Sequence, residues 1–267
     1  MLPISKMQQT YLSQIRRHRY RIILIRLFLI LAFLFLWELS AQLHWIDSFI
    51  FSSPSRVCTM LWKMCQDYSL FYHTGITLAE TLVSFFLTIL LGLGCSVLLW
   101  YQQSVSEVLE PYLVILNSLP KSALAPLLIV WLGANTKTII VAGISVAIFG
   151  TILNLYTSFL EMDPEKIKLI YTLNGTRKDA LFKVVIPGTI PLFISILKVN
   201  IGLCLVGVII GEFIGSRMGL GYLIIYGSQT FQLTLVITSI VILCLISLCL
   251  YLLLAAAEKT YQKRTVR

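Results

Sequence analysis

Glu161-Met-Asp-Pro-Glu-Lys-Ile-Lys-Leu-Ile-Tyr-Thr-Leu-Asn-Gly-Thr-Arg-Lys-Asp-Ala-Leu-Phe-Lys-Val-Val-Ile-Pro187 is a basic, polar stretch set between two long apolar ones. A plain connection between helices needs only a handful of residues. About 25 residues that are charged and yet helix-patterned therefore predict a folded unit that docks outside the apolar phase. Asp163-Pro164 reads as a helix start, an oxygen-bearing cap followed by proline at the first helical position. Asn174-Gly175 is a good stop for a helix running to about Leu173. A second short helix is expected from Thr176 to about Val185, ending before Pro187. Leu169, Leu173, Leu181 and Phe182 give this hairpin an apolar face, and Arg177, Lys178 and Lys183 a basic one. An amphipathic hairpin lying on anionic lipid fits the same composition.

The surrounding chain is 267 residues long, 58% hydrophobic and only 12% charged, with a mean hydropathy of +0.87. Soluble domains carry about 25% charged residues, so the chain is expected to live in a bilayer as an all-α membrane protein. A span needs roughly 20 apolar residues. Six segments qualify: 22–43, 74–101, 111–133, 137–160, 187–215 and 232–257. Pro111 is expected to open the third span, and Pro120 and Pro126 to bend or break it. Gly133-Ala-Asn separates the third span from the fourth.

Charge orients the spans. Residues 1–21 form a basic arm with Lys6, Arg16, Arg17, Arg19 and Arg21. The 161–186 loop holds Lys166, Lys168, Arg177, Lys178 and Lys183, and the 258–267 tail holds Lys259, Lys263, Arg264 and Arg267. Together they carry 14 of the 21 basic residues. Six spans put all three regions on one side, which the positive-inside rule makes cytoplasmic. The net charge of +9 thus reads as topology and lipid-surface charge, not as a nucleic-acid face. The six cysteines form no C-x-x-C pair and the three histidines are scattered, so neither a metal site nor a disulfide is expected. Sparse carboxylates and histidines argue against a membrane enzyme, and no catalytic residue is assigned.

Four stretches, in order, resemble ATP-binding-cassette importer permeases, the loop among them the superfamily's cytoplasmic loop and the other three its nitrate/sulfonate/taurine branch. They are Ser53-Pro-Ser-Arg56, Leu119-Pro-Lys-Ser-Ala-Leu-Ala-Pro-Leu-Leu-Ile-Val-Trp-Leu-Gly133, the loop from Thr172 to Pro191, and Gly211-Glu-Phe-Ile-Gly with Gly219-Leu-Gly-Tyr-Leu-Ile224. The resemblance implies a type I importer permease fold of six transmembrane helices in residues 22–257. It also implies a cytoplasmic coupling helix in the 161–186 loop, docked into a groove on an ATPase subunit. Leu173, Asn174, Gly175, Thr176, Arg177, Lys178, Leu181 and Phe182 are the residues expected to make that contact. The chain departs from the pattern at Lys168-Leu169-Ile170, where the family has Glu-Ala-Ala, and at Asn174, where it has glycine.

The implied partners are a second copy of the chain, cytoplasmic ATPase subunits, an extracytoplasmic solute-binding protein and membrane lipid. No phosphate-binding loop G-x-x-x-x-G-K-[ST] is present, so ATP is expected on the partner and no cofactor on this chain. The branch implies a small solute, sulfonate-, taurine- or nitrate-like or a thiamine-precursor pyrimidine, carried inward across a bacterial cell membrane. The competing reading is a self-contained ion-coupled carrier or channel.

Ionisable groups cost about 2.5–3.5 kcal/mol at a bilayer centre, so Lys121, Lys198 and Glu212 need partners or water. With Asn154 they are candidates for a translocation path. Lys121 reads equally as a lysine snorkelling from a helix end, and Glu212 as a structural hydrogen-bonding group. Asn154 and Asn200 suit either a pathway or bonds between helices. Gly207, Gly211, Gly215 and Gly219 recur every four residues, a face for close helix packing.

Overall fold

The computed structural model describes residues 6–265. Met1–Ser5 of the basic arm and Arg267 of the tail lie outside the described residues, as do the side chains of Lys6, Arg16, Arg19, Lys263 and Arg264. Eleven α-helices make up the described chain: α1 (Lys6–Gln42), α2 (Pro54–Gln66), α3 (Ser69–Tyr101), α4 (Gln103–Ser118), α5 (Lys121–Leu132), α6 (Thr136–Leu160), α7 (Pro164–Thr172), α8 (Arg177–Ala180), α9 (Ile186–Gly215), α10 (Leu220–Gln229) and α11 (Leu233–Thr265). Five of the continuous helical runs are long and apolar enough to cross a membrane, and α4 with α5 supplies a sixth if that bent pair counts as one span.

The third span is where expectation and structure part. α4 begins at Gln103 and runs through Pro111, which opens nothing. The break falls at Leu119-Pro120, where the two helices turn by 96°. Leu119 is extended (ψ 141°), as a residue before proline prefers to be, and Pro120 has no amide to continue the ladder. Pro126 sits inside α5 without ending it. Near the other end of the chain, the helix after Thr176 does not stop before Pro187. A π turn over Leu181–Val185 joins α8 to α9, so Arg177–Gly215 is one helical run of 39 residues. Pro187 lacks a donor where the hydrogen-bond spacing is already changing from i+5 to i+4, so little is lost there.

α3, α6 and α9 form the centre. Lipid supplies no hydrophobic drive between helices, so contact depends on close backbones and polar bonds. The four-residue glycine face of α9 provides the first. A Cβ on Gly207 would lie 2.8 Å from both the Ala142 carbonyl oxygen and the Gly143 Cα of α6, and one on Gly211 would lie 3.1 Å from Ile139 Cα. Between α3 and α6, a Cβ on Gly92 would meet Thr151 Cγ2 at 2.7 Å. Polar bonds add to this: Ser84 and Ser96 of α3 each donate at 3.1 Å to α6 carbonyls, those of Ile140 and Ile152. Asn200 Nδ2 of α9 donates to Thr151 Oγ1 at 2.7 Å.

An apolar cluster closes each end. Leu99, Trp100, Ile152, Tyr156, Phe159, Ala180, Leu181 and Val185 pack at the end that carries the basic hairpin. Met64, Leu205, Leu220, Leu223, Leu235, Ile242 and Leu243 pack at the far end. There Glu38 of α1 accepts from the Ser55 amide at 3.0 Å and the Ser55 hydroxyl at 2.9 Å, tying α1 to the start of α2. Otherwise α1 stands apart, with none of its most apolar window buried.

Candidate functional site

The hairpin is set by three local devices. Asp163 accepts from the Glu165 amide at 2.9 Å and caps α7. At the other end of α7, the Gly175 amide reaches back to the Ile170 carbonyl (2.8 Å) and the Asn174 amide to that of Tyr171 (3.0 Å). These are the paired bonds of a Schellman stop. Asn174 takes the left-handed position, φ 60°, while Gly175 is required for clearance: a Cβ there would lie 2.8 Å from the Ile170 carbonyl oxygen. Thr176 and Asp179 then close a capping box over α8, and Asp179 pairs with Lys183 at 2.8 Å.

The eight hairpin residues do not share one surface. Leu181 is buried in the bundle with Ala180 and Val185, so it is not part of an outward apolar face. Leu173 and Phe182 are 72% and 58% exposed, and Leu169 is also open. Arg177 is also exposed, but its side chain reaches back to the end of α3. Its Nη2 donates to the Trp100 carbonyl at 2.8 Å, and its guanidinium lies over the Trp100 and Tyr101 rings at 5.3 and 5.9 Å. Lys178, beside it in sequence, stays exposed. The hairpin is thus pinned to the end of α3 by a cation–aromatic contact and presents Leu169, Leu173 and Phe182 outward. The Arg177 contact spans 77 residues, and no local pattern announces it.

The four intramembrane polar residues fall into three places. Lys121 Nζ reaches Asn117 Oδ1 at 3.4 Å, and that same oxygen would lie 3.3 Å from a Cβ on Gly150. Asn154, one helical turn beyond Gly150 and exposed, is on the same side of α6. Lys121, Asn117 and Asn154 thus approach one face of α6. Asn117 escaped sequence reading because nothing in its neighbourhood distinguishes it. Lys198 is elsewhere, in an ion pair with Glu258 at 2.7 Å that joins α9 to α11. Glu258 lies in the stretch read as a basic tail, and its α11 partner role has no sequence signal.

Glu212 is fully buried at the far end of α9. Thr77 Oγ1 of α3 donates to it at 2.7 Å and the Gly221 amide at 2.5 Å. The same Thr77 oxygen accepts from the Leu220 amide at 2.8 Å, and His73 Nδ1 accepts from the Gly219 amide at 3.1 Å. Three successive amides of the Gly-Leu-Gly turn are therefore held by three side chains. Gly219 has φ 97°, and a Cβ there would fall on the Glu212 carboxyl. Both requirements explain a glycine at this position.

Residues 85–264 match the family described as binding-protein-dependent transport system inner membrane component. A probable ABC transporter permease protein of Haemophilus influenzae is 34% identical over 218 residues, covering 82% of this chain and 88% of that one. The formylaminopyrimidine transport permease protein ThiX of Halalkalibacterium halodurans is 27% identical over 188 residues, 70% of this chain and 74% of its own length. A chain of the inward-facing MetNI methionine ABC transporter superposes with a TM-score of 0.62 at 20% identity, over 69% of this chain and 92% of the other.

Proposed function

The chain belongs to the binding-protein-dependent transport system inner membrane components, and on that premise we propose how its geometry drives inward transport. It is the permease subunit of an ATP-binding-cassette importer. The α7–α8 hairpin is its cytoplasmic coupling element, inserted into a groove on a separate ATPase subunit that supplies all ATP chemistry. The observation that carries this reading is the join between hairpin and span. α8 passes through the π turn into α9 without a loop, so Arg177–Gly215 is one helical run, about 58 Å long at 1.5 Å per residue. A push on the exposed Leu173 and Phe182 is delivered to the membrane as movement of a whole helix, with Arg177 on Trp100 holding the hairpin's angle.

The basic charge of the hairpin, arm and tail supports a topology with both termini in the cytoplasm of a bacterial cell, by the positive-inside rule. A second copy of the chain completes the transmembrane pore, and α1 is the element free to meet it. An extracytoplasmic binding protein delivers the solute at the far end, near the Gly-Leu-Gly turn. Lys121 and Asn154, with Asn117, line the path along α6. The solute belongs to the sulfonate, taurine, nitrate or thiamine-precursor pyrimidine classes.

Reconstitution of the chain in lipid vesicles with its ATPase and binding protein tests this. ATP hydrolysis should rise when the loaded binding protein is enclosed on the extracytoplasmic side. Gly175→Val should abolish that stimulation while the chain still inserts in the membrane. Undiminished stimulation in the variant would sink the coupling role of the hairpin.

A further inference from the structure

Glu80 is used by nothing described so far. It lies on α3 one turn after Thr77, on the same face, and is 3% exposed. Its carboxyl adjoins that of Glu212, and its Oε2 has no hydrogen-bond partner among the described residues. The two ion pairs found among those residues, Asp179–Lys183 and Lys198–Glu258, are both elsewhere, so neither carboxyl is neutralised by a lysine or arginine. The other titratable or polar groups around the pair and its turn are His73 and Tyr72 of α3, Asp67 just before α3, Arg217 of the turn itself, Tyr222 of α10 and the Thr136 hydroxyl at the start of α6.

Two carboxyls in contact inside an apolar bundle do not both ionise. Glu212 already accepts from Thr77 O–H and Gly221 N–H, so its oxygens are supplied with donors and it acts as the acceptor. Glu80 has only the Thr136 hydroxyl beside it and keeps Oε2 without a partner among the described residues, so it is the member able to donate. We propose that Glu80 and Glu212 share one proton, carried on Glu80 and hydrogen-bonded to Glu212, and that Glu80 is thereby a positioning residue that latches the 216–221 turn to α3. The step is a simple proton exchange. Glu80 O–H releases its proton to the extracytoplasmic medium, two adjacent carboxylates remain, and their repulsion withdraws Glu212 from the Gly221 amide. The proposal rests on the importer reading only for which side is extracytoplasmic and for what the latch does: α9 runs from the coupling hairpin to this turn, so the latch fixes the far end of the driven helix.

Amide hydrogen exchange on the full chain in lipid nanodiscs, read from a peptide covering 216–224 and corrected for intrinsic rate, tests it. The useful window runs upward from neutral pH, where His73 stays unprotonated and keeps its acceptor for Gly219. Wild-type protection should fall about tenfold per pH unit while the latched pair still holds its proton, and level off once that proton is lost. Glu80→Gln, which keeps a donor and cannot ionise, should hold its protection flat across the window. Infrared spectra should show a protonated-carboxyl band at neutral pH in the wild type that Glu80→Gln lacks. Parallel exchange profiles for the two proteins overturn the proposal. If Glu80→Gln fails to fold, the infrared band of the wild type decides, and its absence at neutral pH overturns the proposal equally. Neither measurement needs ATPase, binding protein or solute, so this inference and the coupling reading can fail separately.

Discussion

Asn174 and Gly175 divide the work of one turn. The left-handed backbone sits on Asn174, the residue type best able to tolerate it after glycine, and the steric clearance sits on Gly175. Asn174→Gly should therefore strengthen the turn by about 0.5–1 kcal/mol. Gly175→Val, driven against the Ile170 carbonyl, should weaken it by about 1–3 kcal/mol. Exchange protection of the amide at position 175 would report both, slowing in the first variant and quickening in the second. An equal effect of both would contradict the assignment. The Asn-Gly stop and the Asp163-Pro164 start were readable because capping chemistry is local. The contact of Arg177 with Trp100 was not, since Trp100 reaches it only through the tertiary fold.

Between elements, polar contacts hold what lipid does not squeeze together. Lys198 and Glu258 are each about one-fifth exposed, so removing one leaves a charge poorly solvated, whereas removing both does not. Lys198→Met and Glu258→Leu should each lower the thermal midpoint in detergent more than the double variant does. The double-mutant coupling should be about 0.5–3 kcal/mol, and additive single effects would mean the pair is idle. Span positions were legible at this scale, because hydropathy over 20 residues is a strong signal. The third span misled because Pro111, Pro120 and Pro126 look alike in sequence. Only Leu119-Pro120 is where the chain actually turns, and tertiary packing decides which proline bends. The spacing of Gly207 and Gly211 announced a packing face, but not that α6 would be the helix laid on it.

For the molecule as a whole, α1 is the exception. The window within Tyr20–Gln42 is wholly unburied, and its polar tie to the rest is Glu38 on Ser55. If a second copy covers it, shortening the chain to begin after Ile46 should convert a detergent-solubilised dimer to a monomer, measured by light scattering, while α3, α6 and α9 keep their helicity. A truncated chain that remains dimeric would move the interface to another helix. Fold class and membrane residence were plain from composition. How the spans are assembled was not, because spacing identifies a face without identifying its neighbour.

The π turn at Leu181–Val185 has one further consequence. A π turn is an α-helix carrying one surplus residue, and each residue advances an α-helix by about 100°. Deleting a single position from this five-residue stretch would restore an ordinary helix with no loss of helicity. It would also swing α8 and the α7 hairpin arm before it, with its exposed Leu173, about a quarter-turn or more around the axis of α9. The compass bearing of the hairpin is thus written in a residue count, and under the proposed coupling role a chain one residue shorter there would turn the wrong side to its partner.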